Sequence, residues 1–154
     1  MDSPMKVVSS ALIVDDNEAD VYWAKLVMGK TGRYPYVFDS MVSEDALAMF
    51  LDYEKSRAMH PGKFPPTLIF LDINMPKLNG FEFLEQLESI DLPEGEDPSV
   101  VLMLSSSTLD SDRKRSEAFS RVRDYVIKPL SEERAIQIAK RWGAVDQDPP
   151  AAPT

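Results

Sequence analysis

Short apolar runs alternate along the chain with longer stretches in which apolar positions recur every three or four residues. Ala11-Leu12-Ile13-Val14, Leu68-Ile69-Phe70-Leu71 and Val100-Val101-Leu102-Met103-Leu104 carry no polar interruption. Strands of that kind are covered on both faces. Strands are predicted at about 9–14, 36–40, 67–71, 99–104 and 124–127, with helices at roughly 17–30, 43–57, 80–89, 110–120 and 131–142 between them. Regular strand–helix alternation gives a parallel sheet with helices packed on both sides. Ser43 before Glu44 and Asp45, and Ser131 before Glu132 and Glu133, read as helix N-caps with acidic first turns that suit the helix dipole. The fourth helix has only Leu109, Ala118, Phe119 and Val122 as apolar anchors among many charges, so it is expected to pack less firmly than the others.

Two connections are long for such a fold, Ala58 to Pro66 and Asp91 to Pro98. Prolines in the first stop the second helix and hold the approach to the central strand extended. The stretch from Gly143 to Thr154 is rich in Pro, Ala and Asp and is expected to be disordered.

With 154 residues, 44% of them hydrophobic and 28% charged, the chain has the size and composition of one soluble domain. The first residues lack the basic region and apolar stretch of a secretory signal, and no apolar run is long enough for a membrane span. A cytoplasmic location without membrane contact is expected. The absence of cysteine excludes disulfides, thiolate metal sites and a cysteine nucleophile, and fits a reducing compartment. A net charge of −9 speaks against a nucleic-acid surface, since duplex binding depends on Lys and Arg neutralising phosphates. Arg113-Lys114-Arg115, with Arg121 and Arg123, reads as a solvated face. His60 lies in a Pro-Gly loop and is a poor candidate for catalysis.

The chemistry lies where the apolar runs end. Asp15-Asp16 close the first strand, Asp72 the third, Ser105 the fourth and Lys128-Pro129 the fifth. Right-handed crossovers between parallel strands bring those ends to one edge of the sheet, where open α/β sheets hold their ligands. Three carboxylates in a small volume repel one another unless a cation joins them. Hard oxygen ligands without His or Cys suit Mg²⁺. Lys128 adds a positive charge and Ser105 a hydroxyl, so the edge is equipped to hold a phosphoryl group. A carboxylate can itself be the nucleophile, and Asp72 is central.

These residues resemble the receiver domain of two-component response regulators over residues 8 to 142, with 1–7 as an N-terminal extension and 143–154 as a tail. The acidic doublet is Asp15-Asp16; the phospho-acceptor with its following Met-Pro and Gly is Asp72 with Met75-Pro76 and Gly80. The hydroxyl is Ser105 followed by the small Ser106, the aromatic switch position is Tyr125, and the Lys-Pro pair is Lys128-Pro129. The resemblance implies a flavodoxin-like doubly wound α/β fold, a five-stranded parallel sheet of order 2-1-3-4-5, with the Lys128–Pro129 peptide cis. It implies Mg²⁺ bound directly by Asp16, Asp72 and the Asn74 carbonyl, with Asp15 acting through water. It also implies a kinase-facing patch of Asn17, Asp20, Val21, Ala24 and Leu130. The turn Ser120-Arg121-Val122-Arg123 departs from the Gly that many receivers carry there. The Pro-rich loop before the third strand is similar to the regulators that partner bacterial phytochrome kinases.

The function implied is a phosphorylation-dependent switch rather than an enzyme: a receiver without an output domain that accepts a phosphoryl group from a histidine kinase onto Asp72. Phosphorylation would recruit Ser105 and turn Tyr125 into the space vacated. The fourth helix, fifth strand and fifth helix, with Arg134, Ile138 and Trp142, would then form a homodimer face. A haloacid-dehalogenase-type phosphatase needs a second Asp where this chain has Asn74. A pseudo-receiver that only binds a partner is at odds with the intact acidic pair, acceptor and lysine.

Overall fold

The computed structural model describes residues 5–93 and 99–145. In order the elements are β1 (Lys6–Val7), β2 (Ala11–Val14), α1 (Glu18–Thr31), β3 (Val37–Ser40), α2 (Ser43–Leu51), α3 (Tyr53–Met59), β4 (Leu68–Leu71), α4 (Gly80–Glu88), β5 (Val100–Ser105), α5 (Asp110–Ser116), β6 (Val122–Ile127), α6 (Glu132–Trp142) and β7 (Ala144–Val145). The five strands expected from the sequence are β2 to β6. They form one parallel sheet of order β3-β2-β4-β5-β6, which in the order of those five strands is 2-1-3-4-5. This is the flavodoxin-like receiver topology.

Alternation of side chains along the strands divides the core into two layers. Ala11 and Ile13 of β2, Leu68 and Phe70 of β4, and Leu102 and Leu104 of β5 face α1 and α6. Leu12 and Val14, Ile69 and Leu71, and Val101 and Met103 face the other layer, filled by Phe50, Phe81, Phe83, Leu84 and Leu87. Every residue of β2 and β4 is buried, as their uninterrupted apolar runs require. Each fully buried Phe or Leu contributes about 1.5–3 kcal/mol relative to exposure.

Three sequence expectations are corrected. The predicted second helix is two helices, because Asp52 leaves helical geometry (φ −107°, ψ 57°). The break turns Tyr53 inward, where it meets Phe64 at 5.1 Å between ring centroids; Phe50 meets the same ring at 5.1 Å. Tertiary packing sets the break, and no Gly or Pro marks it. Ser43 is not the N-cap of α2: that position is Val42. Ser43 Oγ donates instead to the Leu78 carbonyl at 2.7 Å. The fourth predicted helix is the short α5, ending at Ser116, and Leu109 is 63% exposed rather than an anchor.

The outer boundaries also differ. Lys6–Val7, assigned to an extension, pairs antiparallel with Ala144–Val145, assigned to a disordered tail. The pairing is close because residue 143 is glycine: a Cβ there would lie 2.4 Å from the Ala139 carbonyl oxygen and 2.7 Å from that of Val7. Residues 1–4, 146–154 and most of the second long loop lie outside the described residues. Among the described residues no helix is long and apolar enough to cross a membrane.

Candidate functional site

Strand register builds the site. Val14 pairs with Leu71, and the ladder runs one step further as Asp72 N donates to the Val14 carbonyl at 2.9 Å. Asp15 and Asp72 therefore leave neighbouring strands side by side. Ser105 pairs with Ile127, and Lys128 N donates to the Ser105 carbonyl at 2.9 Å. The Lys128–Pro129 peptide is cis, as expected, and Phe64–Pro65 is a second cis peptide that was not.

Asp15 and Asp72 are buried, Asp16 is exposed, and one carboxylate oxygen from each lies within 4.8 Å of the others. Lys128 bridges the group, with Nζ 2.8 Å from Asp15 Oδ2, 2.9 Å from Asp20 Oδ2 and 3.4 Å from Asp72 Oδ1. The first contact is short but not directed as a hydrogen bond, so the buried Oδ2 of Asp15 lacks an aligned donor. An all-carboxylate donor set with such an oxygen fits a hard divalent cation.

Burial raises the pKa of Asp72 from 3.8 to about 6, and the neighbouring Asp15 carboxylate adds to it, while Lys128 opposes the rise. Burial works against the Lys128 ammonium, yet the close carboxylates of Asp15, Asp20 and Asp72 hold its pKa above the usual lysine value. Lys128→Ala should therefore lower stability in metal-free buffer by about 1–3 kcal/mol, since it strands the buried Asp15 carboxylate. Urea unfolding with and without Mg²⁺ checks this: the deficit should shrink when the metal is added. Equal deficits in both buffers would contradict it.

The turn after Asp72 is tightly held. Leu78 N donates to the Pro76 carbonyl across Lys77, whose φ is +67°, a three-residue turn rare for non-glycine residues. Gly80 N returns to the Ile73 carbonyl at 2.8 Å. A Cβ at Gly80 would sit 2.5 Å from the Asp72 carbonyl oxygen, so glycine is needed for close approach. Asn79 caps α4 in a reciprocal pair with Glu82, a capping box whose sequence signature is Asn-x-x-Glu.

Ser105 is fully buried, and its Oγ accepts from Ser107 N at 3.0 Å. Tyr125 is also buried, donates its hydroxyl to the Ser107 carbonyl at 3.0 Å and lies under the Arg113 guanidinium at 4.8 Å. Its ring already points inward, where the expectation had it turning in on phosphorylation. Ser107 joins these two residues through its backbone, so nothing in its own side chain could reveal the link.

The patch expected to face a kinase is not one surface. Val21, Ala24 and Leu130 are core residues at 6%, 1% and 2% exposure, placed inward by the helical period of α1 and by the start of α6. Asp20 turns to Lys128, and Asn17 caps α1 by accepting from Asp20 N. The exposed apolar side chains of that helix are Tyr22, Trp23 and Leu26. On the expected dimer face, Ile138 is likewise fully buried. Arg134 is paired with Asp124 at 2.6 Å, and Trp142 is partly covered by the core. Asn74 is exposed two residues beyond Asp72.

Residues 11–140 match the response regulator receiver domain. A probable methanogenesis regulatory protein, FilR2, from Methanothrix harundinacea is 33% identical over 128 residues, covering 79% of this chain and 73% of its own length. The sensory transduction protein LytT of Bacillus anthracis is 27% identical, and this chain spans only 46% of it. Among solved structures, the bacteriophytochrome response regulator RtBRR is similar with a TM-score of 0.68 and 26% identity, covering 94% of this chain and 85% of that one. A two-component response regulator from Legionella pneumophila has a TM-score of 0.68 and 28% identity over 86% of this chain and 98% of its own. The chain belongs to the response regulator receiver domain family. It is a phosphorylation-dependent signalling element of two-component type, a phospho-acceptor, and the dehalogenase and pseudo-receiver alternatives are not favoured.

Proposed function

We propose that Asp72 is the phospho-acceptor, with Lys128 and Ser105 as the groups that stabilise charge on the transferred phosphoryl. The observation that carries this is the ammonium of Lys128 set among the carboxylates of Asp15, Asp20 and Asp72 at the carboxyl edge of the sheet. A carboxylate with a pKa of about 6 is mostly ionised at neutral pH yet more basic than an ordinary aspartate, which favours nucleophilic attack. An Asp72 oxygen attacks phosphorus, the bond to the donor breaks, and its electron pair leaves with the donor. Lys128 moves from the Asp72 carboxylate toward a phosphoryl oxygen, and the Ser105 hydroxyl, whose proton is not used by Ser107, donates to another. Mg²⁺ held by Asp15, Asp16, Asp72 and the Asn74 carbonyl would supply further positive charge at those oxygens.

The donor is a sensor histidine kinase, and similarity to RtBRR favours one of phytochrome type. Phosphoryl contact with Ser105 would pull on Ser107, whose carbonyl holds Tyr125 and, through it, Arg113 on α5. The response would spread to the face of α5, β6 and α6, where a homodimer would form with its affinity altered by phosphorylation. Incubation with acetyl phosphate and Mg²⁺ should add one acid-stable, base-labile phosphoryl by intact mass, in a cytoplasm-like reducing buffer. Analytical ultracentrifugation with beryllofluoride should show a shifted monomer–dimer equilibrium that Trp142→Ala weakens. A strict monomer in both states rejects the dimer face; no mass gain rejects the acceptor role.

A further inference from the structure

α1 is tied twice to the connection between β6 and α6. Asp20 Oδ2 accepts from Lys128 Nζ at 2.9 Å, and Trp23 Nε1 donates to the Leu130 carbonyl at 2.8 Å. Residues three apart share one helix face, so a single stripe of α1 grips Lys128 and the backbone two residues beyond it. An ammonium has three donors, and here three carboxylates surround it. The contact to Asp72 is the longest, at 3.4 Å, and the one to Asp20 is 0.5 Å shorter, at 2.9 Å.

We infer that Asp20 is a positioning residue that holds Lys128 back from Asp72 and so limits how readily Asp72 is phosphorylated. This rests on the reading of Asp72 as acceptor. A phosphoryl on Asp72 brings nearly two negative charges, and the share of the ammonium bound to Asp20 is withheld from it. The Asp20 carboxylate also lies on the same cation that the incoming dianion must use, so the two anions compete. Asp15 is nearly inaccessible, with its side chain 2% exposed, and anchors the base of Lys128's position; Asp20 is 41% exposed. Removing the Asp20 charge therefore frees Lys128 without casting it loose. In the sequence Asp20 is an acid in the first turn of a helix, suited to the helix dipole and placed by the resemblance in a kinase-facing patch, and no spacing ties it to Lys128.

Asp20→Asn keeps the side-chain size and removes the charge. In beryllofluoride titrations with Mg²⁺, read by NMR, its Kd should fall about three- to tenfold, and its rate of labelling by acetyl phosphate should rise to match. Asp20→Glu, which keeps the charge, should stay within about twofold of wild type, and in a Lys128→Ala background Asp20→Asn should change Kd by less than about twofold. In metal-free urea unfolding, the midpoint losses of Asp20→Asn and Lys128→Ala should sum to more than the loss in the double variant. An unchanged or weakened Kd in Asp20→Asn, a gain of equal size without Lys128, or additive unfolding midpoints would each overturn the inference. If wild type itself takes up no beryllofluoride, the acceptor reading fails first and this inference falls with it.

Discussion

Asp72→Asn should be more stable than wild type at neutral pH, by about 1–3 kcal/mol in chelator-treated buffer. The folded pKa of Asp72 is about 6 against an ordinary value of 3.8, chiefly because burial disfavours its charged form. Folding therefore takes up a proton between those two values, and stability contributed by this group falls as pH rises from about 4 through about 6. Above that window the native state carries an ionised, desolvated carboxylate beside Asp15, whereas the neutral amide does not. Below about pH 4 both folded and unfolded aspartate are protonated, and the advantage of the variant should vanish. Urea midpoints across pH 4 to 8 read the effect directly. A variant gain that is the same at both ends of the range, or no gain at pH 7, would show that burial does not strain this carboxylate.

Gly80→Ala should cost about 2–4 kcal/mol. The added Cβ would fall 2.5 Å from the Asp72 carbonyl oxygen and 2.9 Å from Ile73 Cα. Both are backbone atoms, so no side chain can swing aside. Because Gly80 N is also bonded to the Ile73 carbonyl, relief would have to come from moving α4 away from the end of β4, and Asp72 with it. The same variant should therefore lose stability and phosphoryl acceptance together. An unfolding free energy within about 0.5 kcal/mol of wild type would mean that the turn yields at little cost.

The sheet and the strand-end residues were legible because each depends on a local pattern. Unbroken apolar runs named β2, β4 and β5, and the polar residue that ends each run had to emerge at the sheet edge. The ammonium of Lys128 among carboxylates followed from strand order, which the family resemblance supplied. What stayed hidden depends on side chains meeting across long separations. The break at Asp52 answers to Phe64, and the pairing of Lys6–Val7 with Ala144–Val145 joins the two ends of the described chain. Helical phase explains the misread patch: Val21 and Ala24 share the inward stripe of α1, while Asp20 lies at its edge where it can reach Lys128. The resemblance places Tyr125 at the switch position, but its inward setting depends on Arg113 and Ser107, which no spacing rule connects.

In the proposed function one side chain, Asp72, carries the phosphoryl. Borohydride reduces an aspartyl-phosphate to homoserine, so treating the acetyl-phosphate-labelled protein with borohydride and sequencing its peptides by mass spectrometry locates the acceptor. Homoserine should appear at position 72 in the labelled wild-type protein, with aspartate intact at 15 and 16 and no conversion in unlabelled protein. Homoserine at 15 or 16, or none at 72 in protein that has gained a phosphoryl, would contradict the assignment.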